Sequence, residues 1–147
     1  MNRYYYEFQR INDYCYPDSF VLRNMLDIED AVLLEQAERR ITSARIAELA
    51  QSPICGTFDL KHLCAIHRHI FQDIYAWAGE LRSVNIAKGN QFCLYQHIEA
   101  YAATVFGELK TERCLSKTLL EKMPERLAYY LSEINVLHPF REGNGRV

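Results

Sequence analysis

The chain has no Cys-x-x-Cys pair, no long apolar run, no apolar stretch near its first methionine and no surplus of positive charge. Each absence removes a class of function. A membrane-spanning helix needs about 20 consecutive apolar residues, and no run approaches that, so no membrane partner is expected. The start, Met1-Asn2-Arg3-Tyr4-Tyr5-Tyr6-Glu7, lacks the apolar region of a secretory signal, so a cytoplasmic location is expected. Seventeen Lys and Arg stand against 19 Asp and Glu, a net charge of −2. That balance lacks a general basic footprint, and direct nucleic-acid binding is not expected. The five cysteines, Cys15, Cys55, Cys64, Cys93 and Cys114, are odd in number and widely separated. They suit neither a disulfide framework nor a zinc site, and reduced, mostly buried thiols are expected. His62, His67 and His69 are spaced by five and two residues, which puts neighbours on different helical faces and makes a poor metal site. Internal repeats and low-complexity tracts are also lacking.

What remains is the composition of one ordinary globular domain: 147 residues, 49% hydrophobic and 24% charged. The pattern is mainly helical. Asp27, followed by Ile28-Glu29-Asp30, reads as a helix cap, and the stretch to about Ala50 holds no Gly or Pro. Ser52-Pro53 breaks it. A second helix is expected from Asp59 to about Trp77, with Leu63, Ile66, Ile70, Ile74 and Trp77 as its apolar stripe and Ala78-Gly79 as its end. Leu81, Val84, Ile86, Phe92 and Leu94 then flank Lys88-Gly89-Asn90, the pattern of a β-hairpin. Helical pattern resumes from His97 to about Lys110, and again from Pro124-Glu125, where proline suits a first turn. In this last helix Leu127, Leu131, Ile134 and His138 read as one core-facing stripe, and Pro139 forces the chain to turn. Tyr4 to Tyr6, with Tyr14 and Tyr16, read as an N-terminal segment packed on the domain.

The last ten residues carry the chemistry: His138-Pro139-Phe140-Arg141-Glu142-Gly143-Asn144-Gly145-Arg146-Val147. Gly143-Asn144-Gly145 lets backbone N–H groups approach an anion closely, and a helix starting here would favour phosphate. Arg146 offers a fork of donors matched to phosphate oxygens. Glu142 is a hard oxygen ligand of the kind that shares Mg²⁺ with phosphates. His138 is the nearby group whose ordinary pKa suits a general base at neutral pH. Singly, each residue has a bland reading: a helix C-cap, a turn, a solvated ion pair. Their joint occurrence at fixed offsets points to a nucleotide.

This segment closely resembles the signature of the Fic domain family, His-x-Phe-x-Asp/Glu-Gly-Asn-Gly-Arg-x-x-Arg. Trp77-Ala78-Gly79-Glu80-Leu81-Arg82 and Val84-Asn85-Ile86-Ala87-Lys88-Gly89 are similar to the region where that family enters its hairpin. The resemblance covers roughly Leu60 to Val147, and the stretch from Asp18 onward is similar to small bacterial Fic proteins. It implies a mainly α fold, a Fic-type helical bundle with a short β-hairpin flap. Residues 1–58 would be an N-terminal helical segment packed on the core. Residues 59–147 would be the Fic core, lacking the helices after the motif.

The resemblance further implies protein adenylyltransfer: AMP moves from ATP to a Tyr, Thr or Ser hydroxyl of a target protein, with Mg²⁺ required. His138 would deprotonate the hydroxyl, Glu142 would hold the metal, and Gly143, Asn144, Gly145 and Arg146 would bind the nucleotide. Phe140 would point into the core. Ser83, Val84, Asn85, Ile86, Lys88, Gly89 and Phe92 would form a flap that docks the target by strand pairing. The family's second arginine falls two residues past Val147, so these 147 residues alone are expected to be weak or inactive, and the favoured reading is a fragment whose longer parent protein is the enzyme. Glu48, the glutamate nearest to the family's inhibitory pattern, is at the wrong offset from Thr42 and Ser43 and reads as ordinary helix. A toxin-like role held in check by a separate small antitoxin is therefore expected, with a topoisomerase or a GTPase as target. Gly145 after Asn144 favours AMP transfer over the Doc-like kinases, which carry Lys there. A transferase of another nucleotide or phosphate group and an inactive, truncated protein-binding module are the alternatives.

Overall fold

The computed structural model describes residues 14–147 and the backbone of the strand Tyr5–Tyr6. In chain order the elements are β1 (Tyr5–Tyr6), α1 (Ala31–Gln51), α2 (Leu60–Phe71), β2 (Ile86–Lys88), β3 (Asn90–Gln91), α3 (Ile98–Thr111) and α4 (Met123–Leu137). Single 3-10 turns, Tyr95–His97 and Arg113–Leu115, flank α3. The architecture is mainly helical with one short hairpin, as the sequence implied.

The first helix begins one turn later than Asp27. Asn24 Oδ1 accepts the amides of Leu26 and Ile28 at 3.2 and 3.1 Å, and its Nδ2 donates to the carbonyls of Leu22 and Ile28. These bonds wrap the chain into a turn that holds Asp27 at φ 53°, outside helical space. Asp30 is the cap instead, accepting the amides of Val32 and Leu33 at 2.9 Å each. Along α1 the buried residues are Leu34, Glu38 and Thr42, one stripe at i, i+4, i+8 of which only the first is apolar.

The cap of α2 is Asp59, accepting the His62 amide at 2.8 Å, as expected. The helix stops at Phe71, however, well short of Trp77. The amides of Ile74 and Tyr75 both turn back to the Phe71 carbonyl, and Tyr75 and Trp77 stack at 4.4 Å. Ring stacking thus takes over from helix periodicity, although Ile70 and Ile74 remain fully buried. The hairpin turns at Gly89 (φ 76°), with Lys88 opposite Asn90 and Ala87 opposite Gln91. Strand β1 adds to the other side of β2, giving the antiparallel order β1-β2-β3.

In α4, Pro124 sits in the first turn as expected, and the expected stripe holds only at its C-terminal end, where Ile134 packs on the core and His138 is buried. Leu127 and Leu131 are 48% and 68% exposed, while Tyr130 and Leu137 are buried. The choice is made by the neighbours. Leu137 closes a cluster with Ile98, Ala102 and Phe106 of α3, and Tyr130 joins Val105 and Leu115. The thiols also depart from expectation: only Cys15 is buried, and Cys55 and Cys114 are exposed. Of the tyrosine group, Tyr4 lies outside the described residues. Tyr14 meets Trp77 edge-on at 5.9 Å, and its hydroxyl lies 3.2 Å from Ser83 Oγ. No described helix is long and apolar enough to cross a membrane.

Candidate active site

The motif begins where α4 ends. His138 is the C-cap, held left-handed at φ 44° and ψ 59°, with its amide still bonded to the Ile134 carbonyl. Pro139 follows, so the helix cannot continue. His138 Nδ1 lies 3.1 Å from the Asn135 carbonyl. A carbonyl only accepts, so Nδ1 carries the ring proton and Nε2 is the basic nitrogen. The ring is 4% exposed and stacks flat on Phe92 of the hairpin, with centroids 3.7 Å apart at 9°. Burial drives its pKa down to about 4, so it is neutral at physiological pH.

Past Phe140 the loop is stapled by its own asparagine. Asn144 Oδ1 accepts the Phe140 amide at 2.9 Å, and its Nδ2 donates to the Phe140 carbonyl at 2.8 Å. The carboxamide is therefore committed to shaping the loop. Gly143 is required twice over. Its φ is 81°, and a β-carbon there would lie 2.3 Å from the Phe71 ring. Gly145 is exposed, with open space around it. The Arg146 amide closes the turn on the Gly143 carbonyl at 3.0 Å.

Two residues that sequence reasoning did not single out hold this loop in place. His67, fully buried on α2, accepts the Gly79 amide at Nδ1 (2.9 Å) and donates from Nε2 to the Glu142 carbonyl (3.0 Å). Its ring stacks on Phe140 at 3.9 Å and on Phe71 at 4.6 Å. Arg82 is 2% exposed. It donates to the carbonyls of His138 (2.8 Å), Val84 (2.7 Å) and Leu137 (3.4 Å), and also to that of Cys93. A cation on the last carbonyls of α4 is well placed against the helix dipole. The Arg82 amide bonds to the Pro139 carbonyl and the Cys93 amide to that of Val136, both at 2.9 Å, so the hairpin's root is fixed to the end of α4. Burial lowers the Arg82 pKa to about 10, which leaves it charged. The sequence signal for both was weak: a histidine beside an apolar stripe, and an arginine between Leu81 and Ser83 in a mixed stretch.

A third unforeseen residue is Glu38 on α1, 8% exposed. It accepts the Tyr75 hydroxyl at 2.5 Å and forms an ion pair with Arg146, whose other amino group donates to Thr42 Oγ1 at 3.3 Å. Burial and the negative charge of Glu38 push the Glu142 carboxyl above its usual range. Glu38, Tyr75, Glu142, Arg146 and the flap's Lys88 all line one cleft of about 640 Å³.

The structure thus brings Glu142, Arg146 and Lys88 together; His138 is not among the residues lining that cleft and lies under Phe92, within reach of the Lys88 charge. It divides the other flap residues. Val84, Asn85 and Ile86 are buried, and Ser83 is bonded to Tyr14, whereas Lys88 and Gly89 are exposed. Among the described residues, no group of three or more His, Cys, Asp or Glu could hold a metal by itself. A metal here would need oxygens from elsewhere.

Residues 57–147 match the model of the Fic/DOC family, which is more than half of the chain. The chain belongs to the Fic/DOC family. It is 45% identical over 133 residues to the probable protein adenylyltransferase Fic of Salmonella typhimurium, covering 90% of this chain and 66% of that protein. It is 41% identical over 142 residues to the protein adenylyltransferase VbhT of Bartonella schoenbuchensis, covering 95% of this chain and 30% of VbhT. The chain therefore spans about a third to two thirds of these curated relatives. The Fic domain of a Bartonella effector protein (Bep) from Bartonella sp. AR 15-3 superposes with a TM-score of 0.86 at 25% identity, over 96% of this chain and 70% of that one. BepC of Bartonella tribocorum, with AMPPNP bound, has the same fold at a TM-score of 0.84 and 22% identity, over 92% of this chain and 72% of that one. His67 and Arg82 lie inside the Fic/DOC match, while Glu38 and Thr42 come from the helix before it.

Proposed function

We propose that this chain carries the adenylyltransfer site of a Fic protein, moving AMP from ATP to a hydroxyl of a target protein. The observation that carries the reading is the convergence of Glu142, Arg146 and Lys88 on one cleft, with a neutral, oriented His138 that feels the Lys88 charge. In the reaction the target oxygen attacks the α-phosphorus, the bond from that phosphorus to the bridging oxygen breaks, and pyrophosphate leaves. The hydroxyl proton passes to His138 Nε2, the nitrogen that the Asn135 contact leaves basic. Arg146 exchanges Glu38 for phosphate oxygens, and the loop fixed by Asn144 and Gly143 presents its backbone to the same anion. Lys88 adds positive charge from the flap.

Mg²⁺ fits the donor set. A half-buried carboxylate pushed upward by desolvation and by a neighbouring carboxylate gains from a cation, and Mg²⁺ commonly binds one protein carboxylate plus phosphate oxygens. Glu142 would hold it, and the ion would neutralise charge developing on the phosphates. The reading extends to a cytoplasmic target such as a topoisomerase or a GTPase, and to control by a separate small antitoxin. The motif resemblance supports these extensions. The related adenylyltransferases and the AMPPNP-bound relative support the choice of ATP.

The test is label transfer in bacterial lysate from α-³²P-ATP and γ-³²P-ATP, with wild type and His138→Ala. Label from the α position alone, abolished by the substitution, is expected. Label from the γ position would make the protein a kinase. A cellular effect that survives His138→Ala without any labelling would make it a binding module.

A further inference from the structure

We propose that His67 is a positioning residue for the phosphate- and metal-binding loop, setting the backbone at Glu142 from behind through one fixed tautomer. The proposed reaction gives His67 no chemical role, and it touches no reacting atom. Its position is nonetheless determined on every side. The Gly79 amide can only donate, so Nδ1 must accept; the Glu142 carbonyl can only accept, so Nε2 must donate. One neutral ring meets both demands at once, and the opposite tautomer meets neither. The rings of Phe71 and Phe140 pack against it, and Trp77 lies 6.0 Å away, nearly parallel.

The two partners belong to two different parts of the site. Gly79 lies in the turn that leads to Arg82 and the flap. It is held at φ 82°, and a β-carbon there would meet Arg68 Cβ at 2.8 Å and the Cys64 carbonyl at 2.9 Å, so this turn is seated on α2. Glu142 lies in the motif loop, 75 residues along the chain from His67. His67 therefore ties the flap's entry turn and the motif loop to one rigid helix. The backbone bond at Glu142 fixes where its carboxylate starts, and the neighbouring Gly143 amide then holds one carboxylate oxygen at 3.0 Å. A shift at that carbonyl moves the metal ligand and the first amide of the loop together.

The two halves of the ring can be tested separately. An asparagine amide oxygen reaches close to where Nδ1 sits, and a glutamine amide nitrogen close to where Nε2 sits. His67→Gln thus keeps the bond to Glu142, His67→Asn keeps only the bond to Gly79, and His67→Phe keeps the stacking alone. The kinetic arm rests on the adenylyltransfer reading. His67→Gln is expected to stay within about threefold of wild type in kcat. His67→Asn and His67→Phe are expected to lose about 10- to 100-fold in kcat, or the same factor in the Mg²⁺ concentration for half-maximal activity, with KM for ATP changed less. A second arm needs no activity. In ¹⁵N spectra the amides of Gly143, Asn144, Gly145 and Arg146 should keep their positions in His67→Gln and move in the other two variants. The wild-type His67 ring should read as protonated at Nε2. The proposal is overturned if His67→Asn matches wild type in both arms, or if the loop amides stay in place in His67→Phe. If wild type transfers no AMP while the amides move as described, the function reading fails and the positioning role stands.

Discussion

His67 and His138 are both nearly sealed from water, and burial drives both to a pKa of about 4, yet they are set up in opposite ways. His138 carries its proton at Nδ1, against a carbonyl of its own helix, which leaves the basic nitrogen on the far side of the ring. His67 carries its proton at Nε2 and has both nitrogens engaged with backbone from two distant turns. One ring is covered by a phenylalanine of the exposed hairpin, the other by two core phenylalanines. The difference shows that burial and a depressed pKa do not by themselves mark a reactive histidine. What separates them is the kind of backbone group at each nitrogen.

Four outcomes would sharpen or break this contrast. The largest concerns rate: His138→Ala should lower AMP transfer by about 10³-fold, the scale of a lost general base, while the melting temperature changes little. A collapse of stability in that variant would make His138 a structural residue like His67. Next, Phe140→Ala should cost about 3–5 kcal/mol in urea unfolding, because it leaves a cavity against the His67 ring.

The third outcome concerns pH. An unfolded histidine titrates near 6.5 and each folded ring near 4, so the unfolded state binds more protons between those values. Stability should be complete above pH 6.5, fall as pH drops towards 4, and show no further contribution from these rings below that. Each ring should account for at most about 3 kcal/mol of that fall. His67→Phe should flatten the slope by one ring's share, and a slope unchanged from wild type would remove the argument from burial. The smallest effect tests the corrected face of α4. Leu131→Gln should change stability by less than about 0.5 kcal/mol, whereas Leu137→Ala should cost about 2–5 kcal/mol.

Features that depend on adjacent residues were legible in the sequence. Asp59 as a cap, Pro124 in a first turn, Gly89 at the hairpin and the Fic signature itself all rest on short-range chemistry or on fixed spacing. Choices made across the chain, and those where two local signals compete, were not legible. Leu127 and Leu131 are as apolar as Leu137, and only the positions of Ile98, Ala102 and Phe106 decide which of them is covered. Asp27 and Asp30 are equally good caps until the Asn24 turn removes the first. The end of α2 depends on rings that stack after the helix has stopped. The pairing of Glu38 with Arg146 spans 108 residues, and a glutamate in the middle of a polar helix gives no sign of it.

The hairpin is short enough to limit what it can read. Its strands are three and two residues long, and β2 is already paired by β1 on one side and β3 on the other, so the open edge is that of β3, about 7 Å of backbone at roughly 3.3 Å per residue. With Val84, Asn85 and Ile86 turned inward, few side chains remain to distinguish one partner sequence from another. Under the proposed docking of a target strand, such a ruler would set the strand's direction and distance but carry little information about its identity. Discrimination among targets would then fall to their folded shape beyond the contact.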